Sequence, residues 1–184
     1  MIASVKQNKC IFYLGCFLLI GLVSFYIGYR HFTSSVFYQY SAERDKDAIM
    51  KLFNDEFYLL TATPDYDVEY MLDTQSPHKN RFNKGKMKIY VIRENNQFVG
   101  FFTFYMKRND LGKILFMAVH PDFRNRGYSR RAVQFSVDEL KKMGAQRVVI
   151  ATREEDIPAQ RSYTAAGFVP IKKDHGFITY EYPF

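Results

Sequence analysis

Three local signals follow one another without a gap between Lys113 and Gly144, and they constrain the fold of this chain more than any other stretch. Lys113 to Val119 is a short apolar run suited to a buried strand, and Pro121 stops that strand. A basic turn follows, Arg124-Asn125-Arg126-Gly127-Tyr128-Ser129. Beyond it Ala132, Val133, Phe135, Val137 and Leu140 fall at helical spacing, and Gly144 punctuates the end. A helix opening at Gly127 leaves its first backbone N–H groups unpaired and pointing into the turn, where its dipole also favours negative charge. Arg124, Arg126, Arg130 and Arg131 add full positive charges around the same spot. Strand, turn and helix together make a phosphate cradle, and a polyphosphate is the ligand such a cradle suits.

At these residues the chain resembles the GNAT superfamily of acyl-CoA N-acyltransferases, whose signature is Arg/Gln-x-x-Gly-x-Gly/Ala after a strand. Here the pattern reads Arg124-Asn125-Arg126-Gly127-Tyr128-Ser129, with Ser129 where the family prefers Gly or Ala. A second block, Asp156 to Phe168, resembles the family's Asn-x-x-Ala-x-x-x-Tyr-x-x-x-Gly-Phe at Ala159, Tyr163, Gly167 and Phe168, with Asp156 replacing the usual Asn. Ala159 and Tyr163 are four apart and share a helix face, and Gly167 is a natural C-terminal cap. A strand at Arg147 to Thr152 lies between the two blocks.

The resemblance extends from Val36 to the C-terminus, and it implies an α/β fold with a mixed, mostly antiparallel central sheet flanked by helices. The residues agree with that order. Val36 to Tyr40 reads as a strand, and Ser41 then caps a helix whose Ala48, Ile49, Leu52 and Phe53 fall on one side. Lys88 to Ile92 and Phe98 to Met106 are strands joined through the hairpin pair Asn95-Asn96. Val169 to Lys172 and Phe177 to Tyr182 close the chain around Asp174-His175-Gly176.

Upstream lies a segment made for a different solvent. Cys10 to Tyr29 holds twenty residues without a charge and without a polar side, the length a helix needs to span a bilayer. A cleavable signal peptide is the competing reading, but the apolar stretch is long for one and no Ala-x-Ala-like site follows. The expected organisation is therefore a tail at 1–9, a transmembrane helix at 10–29, a linker at 30–35 and an N-acetyltransferase domain at 36–184. Charge flanks both ends of the apolar segment, Lys6 and Lys9 on one side and Arg30 on the other, so orientation is taken from the family's cytosolic cosubstrate. The C-terminal domain is then expected to face the cytosol, within about 20 Å of the bilayer given the short linker.

The formal charge is +7, of which Lys6, Lys9 and Arg30 in the first thirty residues account for three, leaving +4. That excess is too mild to argue for nucleic acid. Both cysteines, Cys10 and Cys16, lie in the apolar segment, so the domain has neither an internal disulfide nor a thiol nucleophile. The four histidines are scattered without ligand spacing, and no metal site is expected. A basic run from His78 to Lys88 reads as a solvated loop or as a contact for anionic lipid.

What the resemblance implies for chemistry maps residue by residue. Met117, Ala118 and Val119 would offer backbone groups to the pantetheine arm of acetyl-CoA. The amides from Asn125 to Ser129 would hold its diphosphate, helped by Arg124 or Arg126. Asp156 and Ala159 complete the cofactor side, although an Asp at 156 only accepts hydrogen bonds and is expected to cap the helix before Pro158. Tyr163 would give a proton to the leaving thiolate, and the Val119 amide would stabilise the developing oxyanion. Relatives often carry a carboxylate on the strand before the turn, but Lys113-Ile114-Leu115-Phe116-Met117 has none. Glu154, Glu155, Asp65, Asp67 and Glu69 are the alternatives for a base acting through water. Two functions follow: a membrane-anchored transferase passing an acetyl group to an amine, or a non-catalytic module of the same fold that binds acyl-CoA or a partner.

Overall fold

The computed structural model describes residues 37–61, 67–72 and 87–184. The expected tail, membrane segment and linker lie outside the described residues, as do Asp65 and the basic run from 78 to 86. Among the described residues no helix is long and apolar enough to cross a membrane. The chain divides after Val36 into two compact units, and everything below concerns the second, Phe37–Phe184.

Among the described residues seven strands form one sheet: β1 (Phe37–Gln39), β2 (Lys88–Glu94), β3 (Gln97–Met106), β4 (Leu111–Val119), β5 (Arg147–Arg153), β6 (Val169–Asp174) and β7 (Phe177–Pro183), in the order β1-β2-β3-β4-β5-β7-β6. Every pair is antiparallel except β4–β5. The α-helices among the described residues are α1 (Ala42–Asp55), α2 (Phe57–Leu60), α3 (Val68–Leu72), α4 (Tyr128–Lys142) and α5 (Ile157–Ala165). The expected strands lie within two residues of these bounds, whereas the short helices α2 and α3 carry too few residues for a periodic signal.

The tight turns follow from residue chemistry. Asn95 and Asn96 both take left-handed φ values, 49° and 68°, which suits a two-residue hairpin between β2 and β3. Successive residues of β3 face opposite sides. Phe101 packs towards Phe53 of α1 with ring centroids 6.3 Å apart, and Phe102 meets Phe135 of α4 at 5.8 Å. On the first face Ile49, Leu52 and Phe53 of α1 join Met71 and Leu72 of α3, Val91, Phe116 and Ala118 in one apolar cluster. On the other face Tyr90, Phe102, Phe104 and Phe135 stack their rings beneath α4. Gly100 of β3 permits the closest backbone approach, since a Cβ there would lie 2.2 Å from the Ala118 carbonyl oxygen.

Ser41 stands at the N-cap of α1 as expected, but its hydroxyl makes no cap bond. The expectation is corrected by Asp45, whose Oδ2 accepts the Ser41 amide at 2.9 Å. The Asp45 carboxylate is fully buried and also receives Arg93 at 2.5 Å and Arg44 at 3.0 Å. That carboxylate fastens the start of α1 to β2.

Candidate functional site

The site begins as a failure of two strands to stay together. β4 and β5 pair only over Leu111–Lys113 and Arg147–Val149, and beyond that register they part. In β3 the neighbours Thr103 and Phe104 pair with Phe116 and Ile114, so Leu115 is an extra residue, a bulge that bends β4 away. The Thr103 hydroxyl accepts the Phe116 amide at 3.1 Å and keeps the bulge satisfied. Between the parted strands opens a cleft of about 540 Å³, walled by α2, the start of α4 and α5.

The His120 amide bonds the Val99 carbonyl at 2.8 Å, so the antiparallel alternation turns the amide and carbonyl of Val119, and of Met117, away from β3 and into the cleft. Arg124 Nε reaches the Val119 carbonyl from that side at 3.1 Å. After a 3-10 turn at Pro121–Phe123 the chain passes through Asn125 and Gly127, both at left-handed φ (63° and 79°). A Cβ on Gly127 would have nothing within 4 Å, so this glycine is needed for its backbone angle and leaves open space beside it. The first bond of α4 is donated by Arg131 to the Gly127 carbonyl, so the turn's amides before it have no helical acceptor.

From the opposite side α5 contributes Asp156, Ala159 and Tyr163. Asp156 is the helix cap that its position before Pro158 suggests: Oδ1 accepts the Ala159 amide at 3.1 Å and Oδ2 the Thr152 hydroxyl at 3.2 Å. Tyr163 is buried, 7% exposed, with its ring edge-on to Tyr180. Burial, reinforced by the Asp156 carboxylate and Tyr180, pushes its phenol well above the usual range. It remains a protonated donor through neutral pH.

Eleven of the twelve residues expected to form the site line this one cleft: Met117, Ala118, Val119, Arg124, Asn125, Gly127, Tyr128, Ser129, Asp156, Ala159 and Tyr163. Arg126 does not. It pairs with Glu94 at 3.2 Å, donates to the Asp122 carbonyl at 3.1 Å and lies over the Phe123 ring, so its charge holds the turn to β2 instead of entering the cleft. Glu94 also accepts the Tyr128 hydroxyl at 2.5 Å; burial, with that bond, pushes the Tyr128 phenol up to about 12. Among the carboxylates considered as bases, Glu155 lines the cleft, while Glu154 faces Lys173 and Glu69 faces Lys46. Asp67 accepts the Glu69 amide at 2.8 Å and is not part of the cleft wall.

The sequence reading missed the wall made by α2 and the residue that caps it: Glu56, Leu59 and Leu60. Glu56 meets Arg124 at 2.5 Å on one side of the cleft. On the other, Arg153 donates to the carbonyls of Tyr58 (2.5 Å) and Thr61 (3.0 Å), and the Tyr58 hydroxyl donates to Glu155 at 2.7 Å. Contacts across 68 to 97 residues of sequence leave no local pattern to read. No group of three or more potential metal ligands occurs among the described residues.

The model of the acetyltransferase (GNAT) family matches residues 46–168. The chain is 26% identical over 133 residues to the uncharacterized N-acetyltransferase YvbK of Bacillus subtilis (strain 168), covering 70% of this chain and 77% of that protein. In fold it is similar to a Bacillus subtilis acetyltransferase solved in complex with CoA, at a TM-score of 0.61 and 14% identity over 81% of this chain and 98% of that one. It is similar also to a GNAT family acetyltransferase from Elizabethkingia anophelis with acetyl-CoA bound, at a TM-score of 0.57 and 14% identity over 80% and 97% of the two chains.

Proposed function

Because this chain belongs to the acetyltransferase (GNAT) family, we propose that it transfers the acetyl group of acetyl-CoA directly to an amine, and that residues 10–29 tether it to a membrane. The observation that carries the first part is the convergence of two motifs on one cleft, with free turn amides at one end and a protonated Tyr163 inside. The residues fit the cosubstrate: beside Gly127 there is open space for a bulky anion, and the amides of 125–129 precede the first helical bond. Arg124, lining the same wall, supplies the full charge.

Bound acetyl-CoA supplies an activated acyl carbon. This chain's own groups do the remainder. The cleft-facing backbone of Met117 and Val119 aligns the arm that carries the acyl group, and the Val119 amide donates to the oxygen on which charge develops. Tyr163 gives its proton to the departing sulfur. A non-catalytic role had one support, the absence of a carboxylate on β4; carboxylates reach the cleft from α2 and the β5–α5 connection instead.

The test is calorimetric binding of CoA and acetyl-CoA to the wild type, Gly127→Ala and Gly127→Glu. Alanine imposes the backbone cost of φ 79° alone, roughly 1–2 kcal/mol of stability, and should still bind. Glutamate adds a charge that opposes the diphosphate and should abolish binding. Equal binding by all three would remove the cradle from the function.

The membrane part rests on the uncharged twenty-residue stretch and on the short linker after it. With acetyl-CoA in the cytosol, the domain works on the cytosolic side, on amines close to the bilayer.

A further inference from the structure

The carboxylates of the cleft are not equally committed. Asp156 is bound to the Ala159 amide and to Thr152. Glu155 is exposed and holds the Tyr58 hydroxyl at 2.7 Å, a bond that keeps its carboxyl below the usual range. Glu56 differs in kind. Its side chain is only 16% exposed, and its partner is Arg124, the cation that the cradle presents to a diphosphate. The bond uses Oε1, and among the described residues no donor reaches Oε2.

We propose that Glu56 is the general base of the transfer, latched on Arg124 in the free protein and released when the cosubstrate's diphosphate claims that guanidinium. The proposal rests on the acetyl-transfer reading above and adds a residue and an order of events to it. Phosphate is a stronger competitor for a guanidinium than a single carboxylate, because it offers more oxygens and more charge. Losing Arg124 frees the Glu56 carboxylate, inside a half-closed cleft, to take a proton from the acceptor. The other titratable groups of the cleft are Glu155, Asp156, Arg161, Tyr128 and Tyr163. Three of them, Glu155, Asp156 and Tyr128, already have hydrogen-bond partners.

The acceptor ammonium passes one proton to Glu56, and the freed lone pair forms the C–N bond to the acyl carbon. The C–S bond breaks, its electron pair leaves on sulfur, and the sulfur takes the Tyr163 proton. The nitrogen's second proton restores the Tyr163 phenol, and the proton on Glu56 passes to water. An amine therefore finds its base only after the cosubstrate has bound, which favours cosubstrate binding first.

The experiment compares Glu56→Gln with the wild type as full-length chains in mild detergent. Glutamine keeps an oxygen on Arg124 and so keeps the guanidinium oriented, but it neither competes as a charge nor accepts a proton. Calorimetry should show CoA bound about fivefold more tightly by the variant, the scale of one exposed ion pair. Thiol release with a panel of spermidine, lysine and a peptide with a free N-terminus should fall about a hundredfold near pH 7. The wild-type acid limb should give way to one at higher pH, the variant recovering as pH rises toward the amine's own pKa, where free amine needs no base. A wild type that fails to bind CoA overturns the acetyl-transfer reading itself. A wild type that binds, with a variant that binds no more tightly or keeps the acid limb, overturns the role of Glu56 alone.

Discussion

Asp45 shows how a single side chain can decide where a helix starts. Burial alone would raise its carboxyl, but hydrogen bonds from Arg44 and Arg93 and from the Ser41 amide outweigh that penalty and hold it below the ordinary 3.8. A carboxyl whose folded pKa is depressed stabilises the fold fully above the unfolded value, and that stability is lost as pH falls through the folded one. The wild type is therefore expected to lose stability in acid below about pH 4. Asp45→Ala should be less stable at neutral pH by about 3 kcal/mol, since it takes the counter-charge from Arg93, whose side chain is only 12% exposed, and should show a shallower acid dependence. Urea unfolding at pH 7 and pH 3.5 checks both statements; equal losses in the two proteins on acidification would contradict them. Arg44→Ala should matter far less, because that side chain is half exposed. At the same scale, Asp156 was legible as a cap because Asp before Ile157-Pro158 has a local reason to be there. The hydroxyl of Ser41 was misread because its competitor, Asp45, is placed by a strand 48 residues away.

At the scale of elements, α2 is the piece that cannot stand alone. Four residues are far below the length at which a helix persists by its own bonds. Arg153 of β5 holds it, donating to the carbonyls of Tyr58 and of the C-cap Thr61 while its guanidinium lies 3.8 Å over the Tyr58 ring. Arg153→Ala should release residues 57–61 and leave the sheet intact. Hydrogen exchange is expected to rise in that segment by tenfold or more, with β3 and β4 unchanged. Protection that stays wild-type in α2 would show that Glu56 and Arg124 suffice to hold it. The helix was invisible beforehand for the same reason that it is fragile: its stability comes from residues far along the chain. The hairpin at Asn95-Asn96 is the opposite case, legible because the turn residues themselves supply the left-handed angles.

For the whole molecule, the twenty uncharged residues near the N-terminus set an expectation that the folded domain can test by contrast. The unit Phe37–Phe184 contains its own sheet and core. The full chain should sediment with membranes and resist alkaline carbonate, whereas a chain beginning at residue 36 should remain in the supernatant and still bind CoA. Release of the full chain by carbonate would refute the tether and leave the domain's chemistry untouched. By itself the sequence determined the local chemistry: a turn whose amides and left-handed Gly127 can hold an anion, a helix face that pairs Ala159 with Tyr163, and the mixed α/β order of elements. Only the tertiary structure decided how the cleft opens and which groups work in it. The splay of β4 from β5 depends on a bulge registered against β3, Arg126 is drawn off by Glu94, and Glu56 arrives at the joint of α1 and α2, held by a residue 68 positions away. The division has one physical cause. Backbone angles, caps and periodicity are fixed by neighbours in sequence, while strand divergence and ion-pair choice are settled by free-energy differences among groups that meet only once the chain has folded.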